Sequence, residues 1–425
     1  MIGQITVQVN QSLGRIRGDR IETWRMNRIN KVDVQQVSAN AKEQRQLSGE
    51  TNSIFKERSP IVGPSVVGLA VSGINYRAGW TDVSAAGSAV VAARSWNRIR
   101  RILSTIVSEA DASIGQIPQN HYANVEEIRL VGTEAQKAFF FDRILKGDRL
   151  GNAAVERSGK TVFENQTKLV PDGDGYRLTG EKFYSTGALF ADWVPVRVTD
   201  SDGNRVVAIV SRRSVGLTVI DDWSGFGQRT TASGTVILKD VWVNRDQILP
   251  SYEAYRKPTT RGPFSQIIHV AIDIGIARAA INETVQIIKT RSRPWIDANV
   301  ERASDDPLTI YQVGELHCQL HAAEALMERA ALKVDRAAAA LDEPTVTAAA
   351  LAVAEAKIGA TDIAILATNK LFELAGTQST LEKYQLDRHW RNARVHTLHD
   401  PVRWKYHAIG KFYLNEIPPP RHAWL

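Results

Sequence analysis

The stretch Arg391–His407 reads RNARVHTLHDPVRWKYH and holds three of the chain's nine histidines. His396 and His399 stand three apart, and Asp400-Pro401 follows at once. Imidazole changes charge near neutral pH, so such a pair can move protons, ligate a metal or sit on a surface helix. A metal would need further ligands. The chain has no Glu-x-x-His motif to add them and a single cysteine, Cys318, so no metal is expected. Acid–base work and a surface role both stay open on these residues alone. A second candidate group is Arg291 and Arg293 in TRSRPW. Guanidinium groups match phosphate with paired hydrogen bonds, but Arg also suits any helix C-terminus. There is no Gly-x-Gly-x-x-Gly and no P-loop, so no nicotinamide site is expected within the chain.

The elements that must position these residues fall into three regions. Residues 1–145 are expected to form an N-terminal helical domain, with 1–85 weakly patterned and broken at Pro60-Ile-Val-Gly-Pro64. Trp96, Ile99, Leu103 and Ile106 step as one helix face does. Gly132-Thr133 predicts a break with an N-cap before Glu134. Residues 146–250 change to short runs of alternating Val, Ile and Thr, punctuated by Asp-Gly pairs, which predict an antiparallel β domain, sandwich or barrel. Residues 251–425 turn helical again. FSQIIHVAIDIGIARAAINETVQIIKT predicts one long helix, Leu308 to Leu341 a second, and Pro344-Thr345 to Leu374 a third with small residues on nearly every face. That order is a mostly helical α+β chain: helices, a β domain, then a four-helix-type bundle.

Bulk properties narrow the class. At 425 residues the chain exceeds one ordinary core, and 43% hydrophobic with 23% charged residues is a globular composition. No run of about 18 apolar residues and no signal-like start appear, so no membrane span and a cytoplasmic location are expected. A net charge of +7, spread without a basic run, suits a phosphate-bearing ligand better than nucleic acid.

Several motifs then resemble the acyl-CoA dehydrogenase superfamily of flavoproteins over roughly residues 85–425. KFYSTGALFADW (Lys182–Trp193) resembles its flavin-side strand, GFGQRTTASGTVILKDVWV its following turn and strand, and DRHWRNAR its Arg-Asp-Ala-Arg helix. GNAAVERSGKT, DDWSGFGQRTTASGT, TRSRPWID and RNARVHTLHDPVRWKYHAIG are similar to the flavin-dependent organosulfur monooxygenases, the branch of dibenzothiophene monooxygenase. IGQIPQNH and PPPRHAWL are similar to the sulfone-utilisation oxidoreductases of sulfur acquisition.

The resemblance implies a reduced-flavin monooxygenase transferring oxygen from a C4a-hydroperoxyflavin to a small organosulfur compound. It implies reduced FMN, with FAD as the alternative, a separate flavin reductase, and a homotetramer. His399 would lie over the flavin near C4a, with His396 beside it. Thr186 would meet flavin N5, Tyr184 would flank the ring, and Asn152 would stand near flavin and substrate. Trp223 would form an apolar wall. Arg291 and Arg293 would reach a flavin phosphate, often across a subunit interface, and Gln378 stands where the branch has another phosphate-contacting Arg. Asn120 replaces an active-site Tyr, which leaves the substrate open. Asp400 falls where the dehydrogenases carry their catalytic Glu but is one methylene shorter. An FAD-dependent acyl-CoA dehydrogenase using Asp400 is therefore the first alternative, and a non-catalytic DNA-binding member the second. Before residue 85 only Tyr76–Ser84 resembles the family's lid turn, so an altered lid is expected there.

Overall fold

The computed structural model describes residues 104–425, apart from 159–160 and 162–163. The expectations for residues 1–85 and for Trp96, Ile99 and Leu103 lie outside the described residues. Residues 104–110 are helical and stop at Asp111. Its carboxylate accepts from the N–H groups of Ser113 and Ile114 and starts α1 (Ala112–Val131). The break at Gly132-Thr133 is present. Thr133 and Gln136 satisfy each other's backbone donors in a capping box and open α2 (Glu134–Leu145).

Seven strands follow: β1 (Lys168–Asp172), β2 (Gly175–Lys182), β3 (Trp193–Thr199), β4 (Arg205–Ser211), β5 (Leu217–Val219), β6 (Val236–Asn244) and β7 (Ile248–Leu249). They form one sheet in the order β5-β6-β2-β1-β3-β4-β7. Pairing is antiparallel as expected except between β1 and β3, which run parallel. The exception has a topological cause. After β2 the chain does not turn back along it but passes β1 through residues 183–192 to reach the other side. That crossover carries Tyr184, Thr186 and Gly187. Inward-facing Leu178, Val194, Val196, Val198, Val236, Leu238 and Val241 fill the core of the domain. Gly180 is required by contact: a Cβ there would meet the Thr167 hydroxyl at 2.1 Å.

The C-terminal region contains α3 (Glu253–Arg256), α4 (Arg261–Thr290), α5 (Pro307–Ala339), α6 (Glu343–Ala375), α7 (Asp387–His396) and α8 (Arg403–Asn415). Asp306 and Asp342 cap α5 and α6, each with Pro in the first turn, and Gly376 ends α6 at φ 72°. α4 is long and apolar enough to cross a bilayer, yet most of it is buried in the protein; it is the central core helix. It packs against α1, α5 and α6, and the alanines of α6 allow close approach on several faces. The molecule is thus the mostly helical α+β arrangement expected. His396 ends α7, and His399 lies in the turn after it rather than on the same helix.

Candidate active site

His396 points inward, not to solvent, and is 3% exposed. Its Nδ1–H donates to Asp273 Oδ1 at 2.5 Å. Lys357 donates to the other oxygen of that carboxylate at 2.5 Å, and Thr361 adds a 3.3 Å contact. His269 Nδ1 lies 3.1 Å from His396 Nε2, and the side-chain oxygen Oε1 of Gln116, on α1, lies 3.1 Å from the same nitrogen. His269 and Asp273 are four apart on α4, and Lys357 and Thr361 four apart on α6, so each pair shares a helix face. Burial pushes the His396 imidazole down in spite of Asp273. Burial opposes ionisation of Asp273 as well, but Lys357 and His396 outweigh it and hold its carboxyl below its ordinary value.

His399 stands at the open end of this column. Its ring lies 4.0 Å, centroid to centroid, from that of His269 at 31°. Its side chain is 37% exposed, while Asp400 is 3% exposed. His399 Nδ1–H donates to Asp400 Oδ1 at 3.0 Å. The Lys405 ammonium of α8 sits 3.0 Å from Asp400 Oδ2, as an ion pair rather than an aligned hydrogen bond. Burial raises the Asp400 carboxyl, but the His399 hydrogen bond and the Lys405 charge win and hold it well below the usual range. Lys405 also donates to Gln266 Oε1 at 3.1 Å and to the carbonyl of Trp424 near the C-terminus.

A second cluster forms on the β2–β3 crossover. Tyr184 takes the left-handed region at φ 53° and is 53% exposed. Trp223 meets it edge-on at 6.1 Å and donates to the Gln228 carbonyl at 2.9 Å. Asn152 reaches the Tyr184 carbonyl at 3.4 Å. Its segment is held by α1, where His121 accepts from Leu150 N–H at 3.0 Å and Asn124 donates to Gly151 O at 3.1 Å. Thr186 and Ser233 hydroxyls are 2.7 Å apart, and Ser233 is 2.7 Å from Thr231. Ser185 Oγ and Gln228 Oε1 are buried and find no hydrogen-bond partner among the described residues.

The clusters meet along α1 and α7. Gln228 N–H donates to Asn392 Oδ1 at 2.8 Å, and Gln228 Nε2 donates to Ala112 O at 3.2 Å. A Cβ on Gly227 would strike the Arg391 carbonyl at 2.0 Å, so glycine lets this loop lie against α7, five residues before His396. Phe226 stacks on Trp390 at 5.9 Å and 21°.

Arg291, Arg293 and Gln378 lie elsewhere. Arg291 ends α4, covers the Tyr384 ring at 4.9 Å, and accepts from Gln378 Nε2 at 3.1 Å through its carbonyl. At 1.5 Å per residue, Arg291 is about 33 Å along α4 from His269. Arg291 and Arg293 are exposed. Within one chain the structure therefore brings together His396, His399 and Asp400, and beside them Asn152, Tyr184, Thr186 and Trp223, but not the arginines or Gln378. An open groove of about 460 Å³ between Lys168, Asp172, Arg177 and Asp240 touches none of them.

The donor set fits a flavin ring. Exposed Tyr184 and half-buried Trp223 offer flat faces. Thr186, Ser185 and the Gln228 amide offer polar groups for a heterocycle's edge, two of them with unmet bonding capacity. His269, Asp273, Lys357, Lys405, Gln116 and Ser233 escaped the sequence reading. The signal for the first three was present: a single His, Asp or Lys within an otherwise apolar helical run must be paired if buried.

The family model for the acyl-CoA dehydrogenase C-terminal domain matches residues 267–404. The dibenzothiophene monooxygenase of Mycolicibacterium goodii is 31% identical over 74% of this chain and 79% of its own. The probable FMNH2-dependent monooxygenase SfnC of Pseudomonas putida is 29% identical over 73% of this chain and 80% of its own. The crystal structure of FMN-bound TdsC from Paenibacillus sp. A11-2 superposes with a TM-score of 0.74 at 28% identity, covering 80% of this chain and 93% of that one. The chain belongs to the dibenzothiophene monooxygenase family, built on the acyl-CoA dehydrogenase fold.

Proposed function

We propose that the chain is a monooxygenase that uses reduced FMN and O2 to oxidise a small organosulfur compound. The observation that carries this reading is a half-exposed His399 backed by a buried Asp400, which accepts from His399 through one oxygen and pairs with Lys405 through the other. Dehydrogenation of an acyl-CoA needs a carboxylate free to reach a C–H bond at about 3 Å. Asp400 is committed to His399 and Lys405 instead, so the FAD-dependent acyl-CoA dehydrogenase reading lacks its base. Relatives described as FMN-bound and FMNH2-dependent favour FMN over FAD.

Reduced flavin, when bound, supplies the activation of O2 for transfer to sulfur. The chain's own residues orient and protonate. Asp400 takes the Nδ1–H of His399, which leaves Nε2 as the end that gives or receives a proton at the reacting groups. Thr186, backed by Ser233, bonds a polar ring edge. Tyr184 and Trp223 exclude water from the ring faces, and Asn152 adds a polar contact. His396 acts from beneath rather than by touching substrate. Arg291, Arg293 and Gln378 serve a flavin phosphate on a neighbouring subunit, which makes the working unit an oligomer, a homotetramer in our reading. A separate reductase supplies reduced flavin, which suits a cytoplasmic setting.

The test supplies the protein with FMN, a flavin reductase and NADH under ¹⁸O2, and offers thioethers, sulfoxides, sulfones and sulfinates. Mass spectrometry should find one labelled oxygen in a sulfur product. Anaerobic bleaching of bound flavin by an acyl-CoA, with no labelled product, would instead establish the dehydrogenase.

A further inference from the structure

One pair of histidines lies apart from the site described above. His317 and His321 stand on α5 in the stretch HCQLH. Residues four apart share a helix face, and Glu324, three further on, continues it. Cys318 is exposed but sits a quarter-turn round the helix, off that face. His317 is half-buried and His321 is exposed. Their ring centres are 5.9 Å apart at an interplanar angle of 52°, so the rings are neighbours without being stacked. Two imidazoles bound to one tetrahedral cation through nitrogens at about 2.0–2.1 Å have ring centres roughly 5 Å apart. A small side-chain adjustment therefore brings both nitrogens onto one ion.

The surroundings favour a cation. Arg278 of α4 donates through Nε to Glu324 Oε1 at 2.5 Å and fixes that carboxylate on the same face. Glu109 stands close enough to feel both. Burial above all, with the Glu324 charge adding to it, raises the Glu109 carboxyl against the pull of Arg278 and Asn282. Two carboxylates thus share one guanidinium beside the histidines. Burial, and then the neighbouring His321, push the His317 imidazole below its ordinary value in spite of Glu324, which favours the neutral form that binds metals. No group of three His, Cys, Asp or Glu placed to hold a metal occurs among the described residues, so two positions at most come from the protein and water fills the rest.

We propose that His317 and His321 form a two-imidazole clamp for a late divalent transition cation, Cu²⁺, Zn²⁺ or Ni²⁺, rather than Mg²⁺ or Ca²⁺, which prefer oxygen ligands. Arg278 is nine residues along α4 from His269, about 14 Å, so the clamp stands outside the histidine column and does not depend on the oxygenase reading.

Isothermal titration of the full chain with Zn²⁺ and with Cu²⁺ should show one ion per chain that is lost, or bound at least about tenfold more weakly, in His317→Ala and in His321→Ala, each of which leaves a lone imidazole. Mg²⁺ should give no binding. Alanine is the better helix former at both positions, so the variants should fold. Saturating Zn²⁺ should raise the melting temperature of the wild type and leave that of either variant unmoved. Electron paramagnetic resonance of bound Cu²⁺ should show coupling to two nitrogens in the wild type and to one or none in either variant. Wild-type affinity in the double variant, or a Cu²⁺ spectrum without two nitrogens, would overturn the proposal. None of these readouts uses flavin, O2 or a sulfur compound, so failure of the oxygenase reading would leave them intact.

Discussion

Two buried ionic assemblies cross this molecule, and they end differently. One joins Glu127 of α1 to Arg197 of β3 and Arg261 of α4, at 2.8 and 3.0 Å, with Ser251 also donating to the carboxylate. Glu127 is fully buried, and its bonds are spent on β3, α4 and the turn after β7. The other runs from Lys357 through Asp273, His396 and His269 to His399, and its last member is half-exposed. The first is a closed knot between helices and sheet. The second ends at a side chain open to solvent. Burial of charge alone does not mark a functional site; a buried network with one end left available does.

The largest effect expected from breaking that contrast is on the closed knot. Glu127→Ala strands two guanidinium groups, one of them fully buried, and should cost about 3–5 kcal/mol in denaturant-induced unfolding. Turnover per folded molecule should be retained. Acid titration sharpens the same point. Burial would raise the Glu127 carboxyl, but Arg197 and Arg261 outweigh it and lower it from 4.5 to about 2. Its folded-state value is depressed, so its contribution is complete above pH 4.5 and is lost as pH falls towards 2. The stability lost over that window should be about 3 kcal/mol, and Glu127→Gln should flatten it.

On the open column the expectation reverses. His399→Ala should lower sulfur-product formation at least 100-fold, the ordinary scale of a lost proton donor. Its melting temperature should move by under ~2 °C, because the side chain is half-exposed. An equal loss of stability would place His399 with the knot instead. The smallest effect belongs to the hydroxyl chain. Thr186→Val leaves buried Ser233 with one partner fewer and should cost about 1 kcal/mol, with Thr186→Ser near neutral, both read from urea midpoints.

Much of this arrangement was legible in the sequence because it rests on local rules. The capping box at Thr133, the Asp caps with a first-turn Pro at the starts of α5 and α6, and the strand alternation each depend on neighbours a few residues apart. The spacing of His396, His399 and Asp400 was visible too, and so was the absence of a longer carboxylate. Their division of labour was not. A three-residue spacing suggested two histidines on one helix, whereas the helix ends between them, so one points into the core and the other towards solvent. The parallel pairing of β1 with β3 was equally invisible, since strand direction depends on a crossover and not on composition.

By itself, the sequence determined the order of helices and sheet, the kinds of groups available for chemistry, and the family to which they belong. Only the tertiary structure decided which of those groups share a site. His269 and Lys357 are 88 residues apart, and Gln116 lies 280 residues from His396. Contacts at such separations follow from how apolar faces pack, and no local pattern encodes their partner. The protonation states follow from the same packing: whether a histidine is neutral or charged depends on the burial and the counter-charges that the fold assembles around it.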